Sequence, residues 1–69
     1  MTKTLEINGE ARSSAAATLV ELLAELGIDP TTRWLAVARN GAVALRREWP
    51  ATPIDAGDRI EIIRPRQGG

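Results

Sequence analysis

A chain of 69 residues with 43% hydrophobic and 26% charged side chains has the make-up of an ordinary soluble domain, so disorder and fibrous repeats are not favoured. It makes a single domain with a thin core, because a chain this short buries only about 60% of the surface it exposes when unfolded. It has no cysteine or histidine, so it can build no disulfide, zinc site of the usual kind, thiol nucleophile or imidazole base, and its nine basic residues balance nine acidic ones, which argues against a general binder of nucleic acid or of membrane surfaces.

Leu5 and Ile7 alternate with Thr4 and Glu6, which predicts a short strand with one buried face, and Asn8-Gly9 supplies the positive φ angles of a tight hairpin turn. A second strand is expected to return through Ala11 to Ser13. Ser14 to Ala17 is ambiguous, but Thr18 followed by Glu21 fits a capping box in which hydroxyl and carboxylate each satisfy a free backbone amide. The helix that begins there places Leu19, Leu22, Leu23 and Leu26 on one face and turns Glu21 and Glu25 toward water, and Gly27 can end it in the left-handed conformation.

Pro30 and two threonines mark Asp29 to Arg33 as a connection. A third strand, Leu35 to Arg39, leads into Asn40-Gly41, the strongest hairpin signal in the chain, with Val43 and Leu45 on the returning strand. Arg46 to Pro53 reads as a loop with one turn of helix in which Pro50 holds Trp49 away from helical geometry. Asp55 to Asp58 forms a turn around Gly57, where both carboxylates serve the turn rather than acid-base chemistry. Ile60 and Ile62 then alternate with Arg59 and Glu61 in a last strand whose Ile63 points outward.

That order predicts an α+β fold of the β-grasp type, a mixed sheet of four to five strands packed on one α-helix. Residues 1–64 form the domain and residues 65–69 a flexible C-terminal diglycine tail, with no apolar side chain to anchor it. No apolar stretch approaches the ~18 residues of a membrane span and no long apolar run comes after Met1, so the chain is read as cytoplasmic.

A terminal Gly-Gly alone says little, since chance produces it in roughly one chain in 200 at average glycine frequency. In context it says more. The helix Thr18 to Leu26, Ala38 to Gly41 before the hairpin, Arg46 to Trp49, Gly57 to Ile63, and the ending Arg64, Pro65, Arg66, Gln67, Gly68, Gly69 together resemble the ThiS-type sulfur carriers of thiamine (thiazole) biosynthesis, a ubiquitin-like β-grasp family. The likeness covers nearly the whole chain. Small subunits of molybdopterin synthase share the diglycine and the Gly-Asp turn, but their tails are usually more proline-rich and apolar. Arg66 departs from the family, whose tails often carry an apolar residue there.

The resemblance implies that a ThiF-like adenylyltransferase joins the Gly69 carboxylate to AMP from ATP. A sulfur donor such as a cysteine desulfurase then converts the product to a thiocarboxylate, which a ThiG-like thiazole synthase consumes. The chain is then a protein cosubstrate rather than an enzyme, with no cofactor of its own, because ATP is used by the partner. Chemistry agrees that activation is needed: a terminal carboxylate, with a reference pKa of about 3.3 to 3.7, is an anion at neutral pH and a poor electrophile. Gly68 and Gly69, lacking Cβ atoms, let an extended tail that includes Arg66 and Gln67 pass a narrow channel.

For partner contact the candidates are Ile63 on the outward face of the sheet, with Ala36 and Ala38 beside it, and a modest basic patch of Arg59, Arg64 and Arg66 offset by Glu61. Trp34 stands between packing and partner contact, whereas Trp49 reads as core. Other readings are a carrier for molybdopterin or a sulfur-containing amino acid, a β-grasp interaction module with an inert tail, or a modifier linked to target lysines.

Overall fold

The alternation at Leu5 and Ile7 becomes strand β1, Lys3–Ile7, which turns at Asn8 and Gly9 (φ 50° and 85°) into β2, Glu10–Ser14. The computed structural model describes residues 1–64; the expected tail, Pro65 to Gly69, lies outside the described residues. Helix α1, Leu19–Glu25, comes next, then β3, Ala36–Arg39, a second tight turn at Asn40 and Gly41 (φ 52° and 85°), and β4, Ala42–Ala44. A 3-10 helix over Arg46–Ala51 leads to β5, Arg59–Ile63.

The strands lie in the order β2-β1-β5-β3-β4. The last strand therefore sits in the middle, parallel to β1 (Ile7 opposite Ile60) and antiparallel to β3 (Val37 opposite Ile62). With one helix packed on one face of this mixed sheet, the arrangement is the β-grasp.

Period-two alternation sends Leu5, Ile7, Val37, Ile60 and Ile62 to the helix side, where they meet Leu19, Leu22 and Leu23, all three fully buried. Ile28, Leu35, Trp49 and Ile54 close the rim of the same core. Leu26 is only half-buried at its edge. The Thr18 hydroxyl accepts from the Glu21 N–H at 3.3 Å as the capping box requires, but the Glu21 carboxylate accepts from Ala17, one residue earlier than expected. At the other end Gly27, at φ 74°, lets the Ile28 N–H return to the Leu23 carbonyl at 2.9 Å.

Glu25 is exposed as expected, and its carboxylate also accepts from the Ser14 hydroxyl at 2.6 Å and the Ala15 N–H at 2.9 Å, tying the end of β2 to the helix. Two expectations are corrected. Leu45 is not on the returning strand, because β4 ends at Ala44 and Leu45 caps the 3-10 helix that follows. Pro50 does not keep Trp49 out of helical geometry, because both lie within the 3-10 helix. The bias against helical backbone before proline is a preference, and here the tertiary terms outweigh it. The indole is 2% exposed, its Nε1 donates to the Ala44 carbonyl at 2.9 Å, and the Arg46 guanidinium stacks 4.9 Å from its ring centroid.

Candidate functional site

The residues expected to carry function cluster on β5 and the segment after it, so the question is how this strand is held. Its main-chain ladders pair Arg59 and Ile60 with β1 and Ile60 to Ile63 with β3. The asparagines of the two hairpin turns add bonds to it at Arg59 and Ile62. Asn40 donates its N–H to the Arg59 carbonyl at 2.7 Å and accepts the Arg59 N–H on Oδ1 at 2.8 Å. Asn8 does the equivalent at Ile62 through its side chain alone.

Ahead of the strand, the Asp55–Asp58 turn closes through the Asp58 N–H on the Asp55 carbonyl, with Gly57 at φ 84°. The buried Asp58 carboxylate accepts from Arg39 Nε at 2.8 Å, Asn40 Nδ2 at 3.0 Å and the Asp55 N–H at 2.8 Å, while Asp55 takes a second Arg39 nitrogen at 3.0 Å. Burial alone would raise the Asp58 pKa, but hydrogen bonds from Asn40, the Asp55 amide and Arg39 outweigh it and hold the carboxyl below its ordinary value. These carboxylates serve the turn, as their spacing around Gly57 indicates.

Arg59, Glu61 and Ile63 face away from the helix. The register sets Ile63 opposite Ala36, and Ala38 between Glu61 and Val43, so this side of the sheet has an apolar half of Ile63, Ala36, Ala38 and Val43 and a charged half where Arg59 faces Glu6. Ile63 is 65% exposed and Val43 77%.

Of the residues proposed for partner contact, Ile63 and Arg64 stand together at the end of β5, and Arg59 does not join them. At about 3.3 Å per residue it is roughly 16 Å from Arg64 along the strand, more than a Debye length at physiological salt, and between acidic neighbours. The expected basic patch is thus divided among the described residues. Arg66, Gln67, Gly68 and Gly69 lie outside the described residues. Trp34 is 76% exposed at φ 64°, which answers the packing alternative: the indole is not part of the core.

Asn8, Asn40, Arg39 and Arg46 were not legible as site-positioning residues. The two Asn-Gly pairs signalled turns, and nothing local signals that each turn also grips a distant strand. Among the described residues no group of carboxylates is placed to hold a metal ion, and no helix is long and apolar enough to cross a membrane.

A five-stranded sheet on one helix, with the central strand running out toward a C-terminal Gly-Gly, defines a ubiquitin-like β-grasp domain. The model of the ThiS family matches residues 2–69, and the chain belongs to that family. It is 36% identical over 63 residues to the sulfur carrier protein ThiS of Thermus thermophilus, a match covering 91% of this chain and 95% of that protein. It is 39% identical over 66 residues to a thiazole synthase of Paramagnetospirillum magneticum, covering 94% of this chain and only 20% of the synthase's length. Its fold superposes on the crystal structure of the thiamine biosynthesis protein ThiS from Geobacter metallireducens with a TM-score of 0.77 at 29% identity, over 96% of this chain and 99% of the other.

Proposed function

We propose that this chain is the sulfur carrier of thiamine biosynthesis, loaded at the carboxylate of Gly69. Its place in the ThiS family supports a small sulfur carrier, read here as a protein cosubstrate rather than an enzyme. The observation that carries the reading is the reach of the family match, which runs through the terminal Gly68-Gly69 and not only through the fold that many unrelated domains share.

In this reading the carboxylate attacks the α-phosphate of ATP bound to a ThiF-like adenylyltransferase, pyrophosphate leaves, and the acyl adenylate offers AMP as a leaving group. The terminal sulfur of a persulfide on a donor such as a cysteine desulfurase displaces AMP to give an acyl disulfide, and a thiol reductant cleaves its S–S bond, leaving the thiocarboxylate on Gly69 and taking the donor sulfur into a new disulfide. The acceptor is a thiazole synthase of the ThiG type, a partner supported by the likeness of this chain to part of a thiazole synthase. The domain supplies recognition and orientation, and the tail supplies the reactive atom. The carrier holds no cofactor of its own and works where ATP is available, in the cytoplasm. Absence of cysteine fits the role, because no internal thiol competes for the sulfur.

Intact-mass measurement tests it. After incubation with the adenylyltransferase, ATP and a sulfur source, the chain should gain the difference between one sulfur and one oxygen, and the gain should vanish on addition of the thiazole synthase with its substrates. An isopeptide adduct would mean a modifier instead, and no change would mean an inert tail.

A further inference from the structure

Trp34 is a bulky residue in the left-handed region of backbone space, a conformation that only glycine and, less often, asparagine adopt readily. Its side chain does not compensate by burial, since it is 76% exposed. Residues held this way persist where the surroundings over-determine them, and such residues gather at functional sites.

The surroundings here are built for it. The Asp29 carboxylate accepts the N–H and the hydroxyl of Thr31, the Thr32 N–H and hydroxyl both donate to the Asp29 carbonyl, and the Arg46 guanidinium donates to the carbonyls of Pro30 and Thr32 while stacking on buried Trp49. The loop is fixed from the core outward, and the exposed indole stands where it ends. Arg33 lies over that indole at 5.6 Å.

Placement gives this display a purpose. Trp34 precedes by two residues Ala36, which pairs with Ile63, so it sits at the end of the sheet from which β5 runs on toward Gly69. Arg64 lies at the same end. Among the described residues the ion pairs are those of Arg39, and neither Arg33 nor Arg64 has a carboxylate within 4 Å. An exposed tryptophan with Arg33 over its ring and Arg64 at the same end of the sheet, neither paired with a carboxylate among the described residues, has the composition of an interface hot spot and calls for an apolar pocket rimmed by carboxylates.

We propose that Trp34 is the anchor by which the adenylating partner recognises this carrier, seated in such a pocket with Arg33 and Arg64 on its acidic rim. The proposal rests on the sulfur-carrier reading. It assigns the anchor to the adenylating enzyme rather than the thiazole synthase because the two partners meet different molecules. The synthase is offered a thiocarboxylate, itself a distinguishing mark. The adenylating enzyme is offered an ordinary carboxylate such as any chain end carries, and must take its specificity from the folded domain beside the tail.

The test is ATP–pyrophosphate exchange by the adenylyltransferase at varied carrier concentration, with wild type, Trp34→Gly and Trp34→Phe. Glycine relieves the backbone, so Trp34→Gly should unfold at no lower denaturant concentration than wild type. Its half-saturating concentration should nevertheless rise roughly thirtyfold, the scale of a hot-spot truncation, with the maximal rate nearly unchanged. Trp34→Phe should recover most of the loss, and Arg33→Gln with Arg64→Gln should flatten the dependence of half-saturation on salt. An unchanged half-saturation in Trp34→Gly, or a loss confined to the maximal rate, overturns the anchor. Normal exchange with impaired sulfur delivery to the synthase also overturns it, since the anchor would then belong to the other partner. Failure of wild type itself to be adenylated defeats the carrier reading and this proposal with it, whereas normal loading of both wild type and Trp34→Gly defeats this proposal alone.

Discussion

The Asn8 side chain bonds Ile62 twice, Nδ2 donating to its carbonyl at 3.1 Å and Oδ1 accepting its N–H at 2.8 Å. Along β1, the Glu6 N–H reaches the Asp58 carbonyl and the Asn8 N–H the Ile60 carbonyl, at 3.0 and 2.9 Å. The next step of that ladder has no backbone to make it, because the chain turns away at Gly9. The side-chain amide takes the place of the missing peptide and carries the pairing one step further, to the strand end from which the chain continues toward Gly69.

Replacing Asn8 by glycine keeps a residue at ease at φ 50° and removes only the amide. Two part-buried hydrogen bonds at a net of roughly 1 kcal/mol each predict a loss of about 1–2 kcal/mol in denaturant unfolding. Amide exchange should locate the effect: the Ile62 N–H, now without its acceptor, should exchange at least tenfold faster than in wild type while that of Leu22, inside α1, changes only with global stability. Asn8→Asp, which keeps the acceptor and loses the donor, should fall between. Unaltered protection at Ile62 would mean that β3 alone holds the strand end.

The Asp58 carboxylate predicts a pH dependence. Its folded-state pKa is lowered, so the stability it contributes is complete above the unfolded value of about 3.9 and is lost as pH falls through the folded value. Asp58→Asn should therefore cost about 2 kcal/mol at pH 7, the scale of hydrogen bonds to a charged group, and the gap from wild type should narrow below about pH 4. Thermal melts of both proteins at pH 7, 5 and 3 check this. A gap that stays constant in acid would mean that packing, not charge, is what the substitution removes.

Much of the fold was legible because local and tertiary demands agree. The leucines at helical spacing, the alternating apolar pairs at Leu5/Ile7 and Ile60/Ile62, and the two Asn-Gly turns each have one conformation that both hides apolar surface and suits the backbone. The rest depended on neighbours far away in the chain. Glu25 is a solvent-side helix residue as read, but nothing local shows that β2 brings the Ser14 hydroxyl within 2.6 Å of it. Arg39 shares the inward parity of Val37, and only the Asp55–Asp58 turn lying across the core edge shows why an arginine stands there. Arg59 and Arg64 look adjacent in sequence, but an extended strand separates them as a helix would not. For Trp49 the local rule of the residue before proline pointed away from helix, and burial of the indole overrode it.

That burial is large for so small a core. Trp49→Ala should cost about 3–5 kcal/mol, a large share of the 5–15 kcal/mol that holds a typical domain together. Trp49→Phe keeps an aromatic body but loses the bond to the Ala44 carbonyl and should cost about 1–2 kcal/mol. Urea unfolding distinguishes the two, and a loss below 1 kcal/mol for the alanine variant would show that the 3-10 segment is not part of the cooperative core.

Variants at the chain end should separate function from folding. The buried core is drawn from residues between Leu5 and Ile62, so deletion of Gly69, or Gly68→Ala, should leave the unfolding free energy from urea titration within about 0.5 kcal/mol of wild type, as for substitutions away from packed groups. Their effects on sulfur loading should be unequal. Deleting Gly69 moves the terminal carboxylate back by one residue and should abolish loading, since a reacting atom misplaced by even 1 Å can lose about a hundredfold in rate. Gly68→Ala keeps the carboxylate and adds one methyl group beside it; if the proposed carrier threads its tail into a narrow partner channel, loading should slow yet still reach completion at long times. Mass spectrometry over a time course reads both. If the Gly69 deletion loads at the wild-type rate, the reactive carbonyl is not where this chain's diglycine places it.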